Sequence, residues 1–104
     1  MITRRDLAPG YQSVQGMHAA IDFIFHNPEI AADWHNVSNY LGFLSVENEQ
    51  ELVVLAEQAE ALGIAFCIFR EPDIDDKITA IALAPGHASK KLCSKLPLTL
   101  KDKT

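Results

Sequence analysis

The chain has 104 residues, 48% of them hydrophobic and 22% charged, and a formal net charge of −5. These values fit one globular domain over residues 1–104 and argue against a protein that coats nucleic acid non-specifically, which needs an excess of cations. No apolar run approaches the ~20 residues that cross a bilayer, and Met1-Ile2-Thr3-Arg4-Arg5-Asp6 leads into no signal-type core, so no membrane partner and a cytoplasmic location are expected.

Residues 2–5 read as a short first strand and Pro9-Gly10 as a turn. Over 11–26, Val14, Met17, Ile21 and Ile24 recur three or four apart, as one face of a helix requires, and leave Tyr11, Gln15, His18 and Asp22 on an adjoining polar stripe. Asn27-Pro28 stops this helix, and a shorter one begins over 29–34. After a loop at 36–39, the aromatic and aliphatic residues of 40–46 predict a strand. Asn48 with Glu51 three residues on is a capping-box-like start; Leu52, Leu55, Ala56, Ala59 and Leu62 make the buried stripe of the helix that Gly63 ends. Residues 64–69 hold nothing polar, which predicts a strand covered on both faces and, with 40–46, a right-handed parallel crossover. The polar, proline-broken stretch 70–77 is too short for a crossover helix, so strand 78–84 returns antiparallel. Pro85-Gly86 ends it, a basic helix follows over 87–96, and Leu98-Thr99-Leu100 adds an edge contact.

Acids cluster over 47–60, whereas Lys77, Lys90, Lys91, Lys95, Lys101 and Lys103 follow Asp76 against Asp102 alone, so one acidic and one basic surface are expected. Cys67 and Cys93 have no short spacing and suggest neither a metal knuckle nor a redox pair.

The start of the first long helix gathers the chemistry. Arg4-Arg5-Asp6-Leu7, Gly10, Gln15 and His18 fall together where unpaired amides favour an anion or a developing oxyanion. A lone helical histidine has two readings, a hydrogen-bonded packing residue or a ring that moves protons near neutral pH. His18, Asp22 and His26 are four apart, yet no fourth ligand is evident, so no metal is expected.

Arg4-x-Asp6-Leu7, Gly10, Gln15 and His18-Ala19-Ala20 in this order resemble the opening motif of the peptidyl-tRNA hydrolase type 2 family. The run from Thr79 to Pro85 is similar to that family's later strand, in which a threonine opens a small apolar stretch ending in proline. The resemblance spans nearly the whole chain. It implies an α/β fold, a three-layer α/β/α sandwich on a mixed four-stranded sheet. It also implies hydrolysis of the ester joining peptide to tRNA, without metal or cofactor and with tRNA or peptidyl-tRNA as partner. Three positions depart from the pattern: Tyr11 stands where the family has lysine, Glu71 where it has aspartate, and the loop before the last strand shrinks to 72–77. These departures look more like the divergent peptidyl-tRNA hydrolase domain-containing branch.

Under the resemblance, His18 takes a proton from water or orients it, and Glu71 or Asp73 holds the water or the imidazole. Thr79 positions the water or donates to the carbonyl oxygen. The amides of Gly10 and Tyr11, with Arg5 near, stabilise the oxyanion. Gln15 binds a substrate carbonyl or ribose hydroxyl, and Arg70 completes the substrate-binding set. Each has a plainer alternative: a structural histidine, turn-capping acids, a β-branched strand residue, and an aromatic anchor at Tyr11. The rival function is a non-catalytic RNA- or protein-binding domain of the same fold. A homodimer made by the sheet edges is a further expectation.

Overall fold

The computed structural model describes residues 1–101. Its strands are β1 (Ile2–Arg4), β2 (Leu44–Val46), β3 (Phe66–Glu71) and β4 (Lys77–Leu83); its helices are α1 (Pro9–His26), α2 (Pro28–Val37), α3 (Glu49–Ala61) and α4 (His87–Leu92). A single 3-10 turn, Pro72–Ile74, joins β3 to β4. The sheet runs β2-β1-β4-β3, with β1 and β2 parallel and the β1–β4 and β4–β3 pairs antiparallel. Helices cover both faces of this mixed sheet, which makes the α/β/α sandwich.

Local chemistry explains most element ends. Pro9 is not a turn residue but opens α1, where its fixed φ suits a helix and its missing N–H costs nothing. The Asn48 side chain accepts from Glu51 N at 3.1 Å, and the Glu51 carboxylate reaches back to Glu47 N at 2.8 Å, so α3 starts in a capping box displaced by one residue. Gly63, at φ +72°, turns the chain out of that helix. The predicted basic helix 87–96 stops at Leu92; Asp102 and Lys103 lie outside the described residues.

Two clusters fill the layers. Leu52, Leu55 and Ala56 of α3 pack with Ile2, Val46, Ile78 and Ile81 on one face of the sheet. Ala19 and Phe23 of α1 pack with Ala80 and Ala82, beside Cys67 and Phe69, on the other. The buried face of α1 is therefore Gln12, Gln15, Gly16, Ala19 and Phe23, while Val14, Met17, Ile21 and Ile24 are 44–54% exposed. The apolar periodicity marks the wrong side of this helix. Small residues win the inner face because they let α1 lie close to the alanines of β4, and the two glutamines are buried because the interior supplies their partners. Gly16 is part of this fit: a Cβ there would come within 2.5 Å of the Phe43 ring.

The strand expected over 40–46 shrinks to Leu44–Val46, since β1 offers it only three partners. Its other side is covered as expected from the end of the chain: Leu98 bridges to Leu44, Ser45 N donates to Pro97 O at 3.0 Å, and Thr99 N to Phe43 O at 2.8 Å. β2 and β3 point the same way, but they lie at opposite edges with β1 and β4 between them. The strand buried on both faces is β4, not β3. β3 is only half-buried because, among the described residues, no strand pairs with its outer edge.

One irregularity positions the site. Phe69 pairs with Ala80 but Arg70 with Ile78, so Thr79 is an extra residue in β4. This β-bulge breaks the strict alternation and turns Thr79 and Ala80 both toward α1, while Ile78 joins the α3-side cluster. Side chains occupy the backbone groups of Ile78: its N–H donates to Glu49 Oε2 at 2.8 Å, and Arg4 Nη1 donates to its carbonyl at 3.0 Å. Glu49→Ala is expected to cost about 1–2 kcal/mol in urea unfolding by leaving that N–H unpaired, with Glu49→Gln losing less because it keeps an acceptor.

Candidate active site

The amino-terminal half of α1, the carboxyl end of β3 with its 3-10 turn, and the first residues of β4 meet at one end of the sheet. Tyr11, Gln15 and His18 stand on successive turns of α1, the spacing that lines residues up along one face. The bulge brings Thr79 under them.

A buried hydrogen-bonded chain runs outward from there. Thr3 Oγ1 donates to Thr79 O at 3.0 Å, the Thr79 hydroxyl donates to Gln15 Oε1, and Gln15 Nε2 donates to Glu71 Oε1 at 2.9 Å. Glu71 Oε2 accepts the backbone N–H of Asp73 at 3.2 Å, and the Tyr11 hydroxyl lies near this carboxylate. Gln15 and Thr79 are both 0% exposed. With both ends of the Gln15 amide satisfied, the order of donors fixes the direction of the whole chain and aims Glu71.

These donors hold the Glu71 carboxyl below its ordinary pKa; the Gln15 amide contributes most, followed by the Asp73 N–H, with Tyr11 and the nearby His18 adding less. The Tyr11 phenol is pushed up, first by desolvation and then by the charges of Glu71 and Asp73, so it stays neutral. His18 is exposed, and its ring lies flat on Phe69, 4.4 Å between centroids with planes 5° apart. The imidazole is thus fixed in orientation yet open to solvent.

Four expectations change. Gln15 is sealed and engaged at both ends, so it aims Glu71 and does not face a substrate carbonyl or ribose. The Thr79 hydroxyl is likewise spent inside, on Gln15, and does not face water. Arg5 is drawn toward β2 by an ion pair with Glu47 at 3.2 Å and by its backbone N–H on Val46 O at 2.9 Å. Arg70 is exposed and straps the β3–β4 connection, Nη1 to Asp76 O at 3.3 Å. Asp73 contributes its backbone N–H to Glu71, and Gly10 lies in the first turn of α1, where Ala8 supplies no side-chain cap and no acid follows. Phe69 is the member that sequence reasoning passes over, because it stands in an apolar run that reads as core. Met1, Ala84 and Tyr40 line a separate hollow of about 520 Å³ at the far end of the sheet, away from this polar cluster.

Gln15→Leu cuts the chain in the middle, stranding the Thr79 hydroxyl; a loss of about 1–3 kcal/mol in chemical unfolding is expected. Glu71→Gln gives a pH signature. Because the folded carboxyl has a depressed pKa, its contribution is fully present above the unfolded carboxylate range and is lost as pH falls through the depressed value. The difference in melting temperature between wild type and Glu71→Gln should therefore shrink with acid and hold constant from neutral pH upward.

Comparison with known proteins shows the family. The family model described as "Peptidyl-tRNA hydrolase PTH2" matches residues 1–99. A protein of Thermococcus sibiricus named "Peptidyl-tRNA hydrolase" is 31% identical over 111 aligned positions, covering 97% of this chain and 92% of its own. Another of that name from Thermococcus onnurineus is 30% identical over 109 positions, with the same coverage. On a match that takes in every element of the sheet and all of the polar cluster, the chain belongs to the peptidyl-tRNA hydrolase PTH2 family.

Proposed function

We propose that this chain hydrolyses the ester joining a peptide to tRNA, with His18 and Glu71 as its working pair. The observation that carries this reading is the buried Thr79–Gln15–Glu71 chain, which holds a carboxylate near the solvent-open imidazole of His18, midway along α1. The names of the Thermococcus relatives supply the substrate class.

In this reading, water adds to the ester carbonyl carbon while the His18 ring takes its proton and the carbonyl electron pair moves to oxygen. Glu71, held ionised, stabilises the imidazolium that forms. The oxyanion rests against the uncapped amides of Gly10 and Tyr11. Collapse expels the ribose oxygen of tRNA, which takes the proton back from His18. Thr79 and Gln15 act through Glu71 as positioning residues, and the steps call on no metal or cofactor. Asp73 steadies the carboxylate through its backbone, while Arg5 and Arg70, which hold Glu47 and the Asp76 carbonyl, are cations that tRNA phosphates could engage.

The setting of this activity is the cytoplasm, and residues 1–104 act as one domain. Any pairing of two copies uses β3, since residues 97–99 cover the β2 edge; light scattering reads that directly. The deciding assay is release of N-blocked amino acid from purified N-blocked aminoacyl-tRNA. Release proportional to enzyme supports the hydrolase. Saturable tRNA binding with no release above buffer at high protein concentration establishes the non-catalytic reading instead, for which the missing lysine at Tyr11 is the specific argument.

A further inference from the structure

We infer that the hollow at the end of the sheet opposite His18 is a second binding site, one that takes a small organic anion with an apolar body and a single carboxylate. Its volume of about 520 Å³ falls within the roughly 300–1,000 Å³ of small-ligand pockets. Phe23 of α1, Trp34 of α2, and Tyr40 and Phe43 of the segment before β2 bring four aromatic side chains to it, and Leu96 closes the side beyond α4.

Most polar groups in this lining are already engaged: Trp34 Nε1 donates to Tyr40 O at 2.6 Å, and the Ser89 hydroxyl donates to Ala84 O. Lys90 is not. Its side chain is the one charged side chain of the lining, its Nζ stands 4.6 Å from the centroid of the Tyr40 ring, and it joins no ion pair among the described residues. No Asp or Glu lines the hollow, although the chain as a whole carries a net charge of −5. The chain is acidic as a whole, yet the only charged side chain in the lining of this apolar space is a base.

That combination selects a ligand class. An organic cation would meet Lys90 with nothing to balance either charge, and a neutral apolar molecule would leave the ammonium uncompensated. A carboxylate forms a charge-assisted hydrogen bond with Lys90 while its body replaces water against the aromatic rings. The site is independent of the hydrolysis proposed above, since Ala82, Leu83 and Ala84 bound it at one end of β4 and Thr79 lies at the other.

Trp34 is the single tryptophan of the chain, so its fluorescence reports on the hollow alone. The protein is titrated with octanoate and with phenylbutyrate, which carry an alkyl and an aromatic body, and with octanol and octylammonium as neutral and cationic counterparts. A saturable one-to-one change with either acid, and none with octylammonium, is the expected result. Lys90→Met should weaken the acids about tenfold, the size of one charge-assisted contact at a solvent-facing position, and leave octanol unchanged. Ala31→Leu, which fills the hollow from α2, should abolish both. Because Lys90 is exposed, its variant remains informative even if Ala31→Leu does not fold. Absence of a saturable response to both acids, octylammonium binding as well as octanoate, or indifference to Lys90→Met overturns the inference.

Discussion

Replacing His18 with alanine is expected to lower release from N-blocked aminoacyl-tRNA by about 10²–10³-fold, the usual contribution of a positioned acid–base group. The fold should survive the change. The ring is exposed and its principal described contact is the stack on Phe69, worth about 0.5–1.5 kcal/mol, so lost activity cannot be laid to unfolding. Kinetic parameters separate the two ways in which the ring acts. Loss confined to kcat marks proton transfer, whereas a rise in KM alone marks the imidazole as a stacking surface for substrate. Phe69→Leu makes a matched control: it keeps the imidazole but frees its orientation, so a fall of smaller size is expected. Release unchanged by His18→Ala would remove the ring from the mechanism and leave Glu71 without its partner.

What the residues disclosed in advance, and what they hid, follows from the physics of each signal. The capped start of α3, its buried stripe from Leu52 to Ala59 and the antiparallel return of β4 were readable because local rules set them: a side-chain cap, a 3.6-residue period, a connection too short to cross over; Leu62, expected to extend that stripe, lies just past the helix and is 61% exposed. The inner face of α1 was not. Helical periodicity counts apolar side chains, but this helix buries two glutamines, a glycine and an alanine ahead of Phe23, and leaves Val14, Met17, Ile21 and Ile24 facing out. A buried glutamine is stable only if distant residues supply its partners, here Glu71 and Thr79, 56 and 64 positions along the chain. No window on the sequence holds that information. The bulge at Thr79 is hidden for the same reason, since a register shift depends on two strands at once. His18, Glu71, Gln15 and Thr79 do lie at one end of the sheet, with an exposed His18, a half-buried Glu71 and a buried support, whereas the arginines turn to partners of their own.

Tyr11→Lys is expected to raise kcat for the same ester about tenfold to a hundredfold, because it adds a cation where negative charge develops. The phenol now lies near Glu71 and, with its pKa pushed up by desolvation and two nearby carboxylates, remains neutral across the working range. It can satisfy a lone pair of Glu71 but cannot offset the charge of an oxyanion. A lysine in its place keeps a donor for Glu71, and its ammonium is balanced by that carboxylate, so the substitution introduces no unpaired charge. Tyr11→Phe separates the two effects: it removes the hydroxyl without adding charge, and a modest fall in rate is expected from a less constrained Glu71. Salt dependence then identifies what the new cation touches. A gain that lies in kcat and persists at high salt means that the ammonium acts on the reacting carbonyl. A gain confined to KM that fades as salt rises means a tRNA phosphate contact. No gain of either kind would show that this branch of the fold does not wait on a missing lysine, and that the phenol at Tyr11 is itself suited to whatever the His18–Glu71 pair acts upon.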